Sequence, residues 1–76
     1  MTTPAQNATL ERISGADWRV LGECDGCIWI AKQSRIRKVF SRVDEKGALL
    51  VAGRLDVVKA FGKAKAIELV DRAFAL

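Results

Sequence analysis

The chain has 76 residues, no histidine and a formal net charge of +4, which reads as one domain with a thin core and too little volume for a deep catalytic cleft. Half of its residues are hydrophobic, which excludes an intrinsically disordered tail. Residues 1–31 hold two bases against four acids, net −2, and residues 32–76 hold eleven bases against five acids, net +6.

Residues 1–9, "MTTPAQNAT", read as a flexible polar arm, and residues 10–76 as a single small α+β domain. The start lacks the charge and apolar run of a signal peptide. No stretch approaches the roughly 18 apolar residues of a membrane helix. The expectation is a cytoplasmic protein, without a membrane, whose thiols stay reduced. Thr9–Ser14 reads either as one helical turn or as a segment along the sheet, ended by Gly15.

Residues 18–33 read as a β-hairpin, because Asp25-Gly26 suits a type I′ turn in which both positions need positive φ. A two-residue loop then pairs 24 with 27, 22 with 29 and 20 with 31. Trp18 and Trp29 fall on one face, the expected core, with the Trp29 ring covering Gly22. The other face is mixed. A second hairpin is expected around "DEKG", with 34–43 as its first strand, although Ile36, Val39, Phe40 and Val43 also fit helical spacing. From Lys63 to Phe74, Ile67, Val70 and Phe74 recur at helical intervals, and Asp56 offers a cap for an earlier start. The fold class is α+β: a small antiparallel sheet of three to four strands, in two hairpins, with a C-terminal amphipathic helix packed on one face.

"CDGC" admits three readings. As a redox couple it resembles thioredoxin and glutaredoxin in four residues, but it lacks their aromatic-Cys-Gly-Pro-Cys run and their cis-proline. Its acidic flanks also raise a thiol pKa rather than lower it. As a zinc knuckle, Cys24 and Cys27 are weak metal candidates, because a structural site takes four ligands and this chain has neither a histidine nor a third cysteine. The remaining reading makes them small packing residues beside a turn, and no cofactor is expected.

"KQSRIRKVFSR" holds five bases and no acid. On a strand Arg35 and Arg37 share one face, while Lys38, Phe40 and Arg42 share the other. Arginine forks suit phosphates and an interleaved aromatic can stack on a base; the alternative is a solvated edge strand whose charges block aggregation. Lys59, Lys63 and Lys65 extend the basic surface. Histidine, the commonest general base near neutral pH, is missing, and no phosphate loop or nucleophile elbow occurs. The expected function is therefore binding, not catalysis: a small basic protein contacting nucleic acid or a nucleoprotein complex. The alternative is an inhibitor of the phage or mobile-element kind, docking on an acidic or nucleic-acid-binding host protein. A weaker alternative is a thiol- or zinc-dependent dimer. The thin core also admits a homodimer, since pairing buries more surface.

Overall fold

A computed structural model describes residues 2–75. Met1 of the expected arm and Leu76 of the expected domain lie outside the described residues. Asp25 and Gly26 take φ of 54° and 77°, the geometry of the expected type I′ turn. This turn joins β1 (Arg19–Cys24) to β2 (Cys27–Gln33). A second hairpin joins β3 (Lys38–Val43) to β4 (Leu49–Ala52), and the four strands form one antiparallel sheet in the order β1-β2-β3-β4. Asp44 closes the second turn: its N–H donates to the Ala48 carbonyl at 3.0 Å, and its Oδ1 accepts the N–H groups of Lys46 and Ala48.

The register of the first hairpin follows the expectation from Cys24–Cys27 to Gly22–Trp29 and then departs from it. Leu21 is an extra residue on β1, so Val20 pairs with Ile30 and not with Ala31. This bulge changes the phase of the strand. Leu21 packs on the face of Trp29, whereas Trp18 packs on the opposite face. The two tryptophans therefore do not share a face. The atoms nearest the open side of Gly22 belong to Phe61 and Leu69; Phe61, not Trp29, covers it, and the two rings meet edge to face.

Both faces of the sheet are covered where β2 runs through its middle. On one face Leu21, Cys27, Trp29, Ala31 and Phe40 pack against Val57, Ala66 and Leu69. On the other, Ile28, Ile30 and Val43 pack against Leu10, Ile13 and Trp18. Full burial of each large aliphatic side chain contributes about 1.5–3 kcal/mol.

The second layer comes from the segment expected as a polar arm, which is helical from Pro4: α1 spans Pro4–Ile13 and passes into a 3-10 turn at Ser14–Ala16. Thr3 caps α1 reciprocally with Gln6. The Thr3 hydroxyl accepts the Gln6 N–H at 3.1 Å, and Gln6 Oε1 accepts the Thr3 N–H at 2.9 Å. Pro4 follows at the first helical position, where its missing N–H costs nothing. Two residues of the expected arm, Gln6 and Thr9, are buried.

The C-terminal region forms two helices, α2 (Arg54–Phe61) and α3 (Lys63–Ala73), separated by Gly62 at φ 87°. Asp56 caps from inside the first turn, its Oδ2 accepting the Gly53 N–H at 2.8 Å. The buried residues of α3 are Ala66 and Leu69, whereas Ile67, expected in the apolar stripe, is exposed. Among the described residues no helix is long and apolar enough to cross a membrane.

Candidate functional site

The bases of "KQSRIRKVFSR" divide between a loop and a strand. The last rung of β2 and β3 pairs Gln33 with Lys38, and the Ser34 N–H donates to the Arg37 carbonyl at 2.7 Å. The Gln33 side-chain amide donates to the carbonyls of Ser34 and Arg37, at 2.9 and 3.4 Å. These bonds leave Arg35 and Ile36 at the tip of a two-stranded ribbon. Arg35 and Arg37 therefore do not lie on a strand as expected, but flank Ile36 in a braced turn. Ile36 is 92% exposed.

Lys38 and Arg42 do share a face of β3 with Phe40. The Lys38 ammonium lies 5.2 Å from the Phe74 ring centre, and the Arg42 guanidinium 5.7 Å from that of Trp29, distances at which a cation is attracted to the ring face. Phe40 itself is 5% exposed and belongs to the core. Its expected role as a stacking aromatic is thereby corrected, because a base has no access to its ring.

A groove of about 570 Å³ opens beside the tip, where the β2–β3 ribbon meets the end of β4 and the start of α2. Arg37, Lys38 and Arg54 line it together with the apolar side chains of Ile36 and Val51, and no acid lines it. Val51, like Ile36, is 92% exposed. Arg54 also lines a smaller groove of about 160 Å³ between α2 and α3, with Lys63 and Asp71. A basic band thus runs from Arg37 through Arg54 to Lys63. Lys59 and Lys65 line neither groove, and Lys65 lies 3.9 Å from Glu68 in an exposed ion pair.

Sequence reasoning missed Arg54, Ile36 and Val51. The signal for Arg54 is a base immediately after the Gly that ends the last strand; for Ile36 it is an aliphatic residue between two arginines. Val51 carries no such mark: β4 alternates exposed and half-buried residues, and Val51 falls on the face opposite Ala52, away from the α2–α3 layer. The hydrogen-bonded rung at Asp44–Ala48 sets the alternation along this pair. Leu50 and Ala52 bond to β3, and the backbone groups of Leu49 and Val51 face outward.

The cysteines sit apart from the groove. Cys24 donates its Sγ–H to the Ala60 carbonyl at 3.1 Å, and Cys27 is buried; both are free thiols. Burial pushes the Cys24 thiol above its ordinary value, and the neighbouring Asp25 carboxylate and Cys27 add to the rise. A thiol raised in this way is a poor nucleophile at neutral pH. Among the described residues no group of three or more metal-ligating side chains is brought together.

Comparison with protein families, with curated protein sequences and with solved structures returns no match to this chain. The functional reading therefore rests on the groove and its charge.

Proposed function

We propose that the chain is a non-catalytic binding protein that holds the phosphate backbone of a nucleic acid in the groove lined by Arg37, Lys38 and Arg54, with Arg35 at its rim. The observation that carries this reading is a concave surface with three bases and no acid among its lining residues. Phosphates are attracted to such a surface whatever the base sequence, with release of condensed counterions.

Arg54 adds a second support. It is the first residue of α2, where a positive charge opposes the helix dipole at a cost of about 0.3–1 kcal/mol. A base kept at an unfavourable position fits a binding role better than a stabilising one.

The test is fluorescence anisotropy of labelled oligonucleotides across salt concentrations. Four phosphate contacts on a duplex give a slope of about −3.6 for log affinity against log salt. Arg37→Gln and Arg54→Gln should each weaken binding and lower the slope by about one. Failure of both a duplex and a single strand to bind at about 50 mM salt overturns the reading.

Docking on a protein partner is the second reading, favoured by the near-complete exposure of Ile36 and Val51 beside the bases. Its mark is a single complex in a pull-down that Ile36→Asp abolishes. Self-association, where it occurs, has its seat along β4, whose four residues carry no charge to discourage strand pairing. The cytoplasm remains the proposed location.

A further inference from the structure

Building on the nucleic-acid reading, we infer that Ile36 is a wedge, entering the minor groove of a duplex and partly unstacking one base step while Arg35 and Arg37 hold the flanking backbones. Three observations converge on it. Ile36 is the apolar residue at the tip of a ribbon, 92% exposed, with an arginine on either side. The tip is braced by the Ser34–Arg37 backbone bond and by two bonds from the Gln33 side chain, so its backbone needs little ordering on binding. The charge beside it, Arg37, Lys38 and Arg54 without an acid, complements a polyanion.

The aromatic inventory decides between a duplex and a single strand. Single strands are held by stacking bases on exposed aromatic rings, and this chain has five aromatics to offer. Trp29 and Phe40 are buried; Trp18, Phe61 and Phe74 are half-buried. Trp18 lies under the Lys32 ammonium at 4.9 Å, and Phe74 has cations from Arg19 and Lys38 over its ring. None of the five is exposed as a platform. Aliphatic side chains, by contrast, are the wedges by which minor-groove proteins open a step and kink the duplex, with arginines reading the groove on either side. A β-branched isoleucine has few rotamers to lose on insertion.

A wedge must unstack a step, so a duplex with one already weakened binds better. The experiment uses the full chain and three labelled probes of one A/T-rich sequence: a perfect duplex, the same duplex with one central mismatch, and the single strand. Anisotropy measures affinity, end-to-end energy transfer measures bending, and 2-aminopurine at the central step reports unstacking. The expected result is an affinity order of mismatched duplex, perfect duplex, single strand, with about a tenfold gain from the mismatch. Bending and a rise in 2-aminopurine fluorescence should accompany binding.

Ile36→Ser should remove the mismatch preference, the bend and the fluorescence rise while retaining the salt dependence. Because Ile36 is almost fully exposed, this variant should melt with the parent protein, which circular dichroism checks. Equal bending and unstacking by Ile36→Ser and the parent protein overturn the wedge while the phosphate-binding reading stands. Tighter binding of the single strand than of either duplex also overturns the wedge. Absence of binding to all three probes at low salt overturns the phosphate-binding reading, and the wedge with it.

Discussion

Gln6 Nε2 donates to the Gly26 carbonyl at 2.8 Å, reaching from α1 to the tip of the first hairpin. The same amide lies 3.3 Å from the Val43 carbonyl at the end of β3. Thr3 and Thr9 make parallel contacts to the second turn, donating to the carbonyls of Glu45 and Gly47 at 3.0 and 2.5 Å. Three polar side chains thus anchor α1 across both hairpin turns. Gln6→Leu keeps much of the volume but takes a donor from the Gly26 and Val43 carbonyls and removes half of the Thr3 cap. It should destabilise by about 1–3 kcal/mol, lowering the urea midpoint without changing the slope. A loss below a few tenths would mean that α1 contributes little to the fold.

Gly62 sits between α2 and α3 with φ 87° and ψ 152°, a region that only glycine visits readily. No atom lies within 4 Å of a Cβ placed there, so the whole cost of a side chain is conformational. Gly62→Ala should therefore destabilise by about 1–3 kcal/mol, visible as a lower melting temperature. The turn between the helices would shift, so the Trp29–Phe61 contact should change too, which Trp fluorescence can follow.

The first hairpin was legible because its signals are local. Asp25-Gly26 dictates a turn, and the turn dictates pairing as far as Gly22. The bulge at Leu21 has one mark in "WRVLGE", the glycine inside the strand at Gly22, but its purpose emerges only when Leu21 faces Trp29 and the α2–α3 layer. The run "CIWIA" lacks the alternation of a half-solvated strand, a mark of burial on both faces that the expectation of one mixed face does not use. The second covering layer was there to be read in "TPAQ", a capping box with proline at the first helical position, but its polar composition masked it. The basic segment was found by composition, whereas its division into a braced tip and a strand depends on where β2 and β3 stop pairing. The groove was beyond reach, because Arg37 and Arg54 meet only after the sheet has folded.

Cys24 makes the stability of the protein depend on pH in one direction. Its folded-state pKa is raised above the ordinary 9.0, by burial first and then by Asp25 and Cys27. The folded protein therefore holds the thiol proton more tightly than the unfolded chain does. That contribution is fully present below the unfolded pKa and is lost as pH rises through the folded one. Urea midpoints should be level around neutrality on this account and fall above pH 9.0. Cys24→Ala should flatten the alkaline fall, and the difference between the two profiles isolates the thiol from lysine titration. Alkylation of Cys24 should also run slower than that of a small, fully solvated thiol at the same pH. Faster alkylation would revive the redox reading of "CDGC".

Phe40 and Arg54 separate folding from binding, because one is packed in the core and the other projects from a helix start. Phe40→Leu should destabilise by about 1–3 kcal/mol, since the ring fills space against Val57, Ala66 and Leu69. Its oligonucleotide affinity, measured well below the melting temperature, should stay close to that of the parent protein, because Phe40 lines the groove with only 5% of its surface exposed. Arg54→Gln should behave in the opposite way. Removing a positive charge from the first position of α2 relieves a clash with the helix dipole, so stability should hold or rise by a few tenths of a kcal/mol. Affinity should nevertheless fall, and the salt slope should shrink by about one. Equilibrium denaturation and anisotropy on the same two variants check both halves together. An Arg54→Gln protein that loses stability and binds normally would make Arg54 a structural residue, leaving the groove without its link to Lys63.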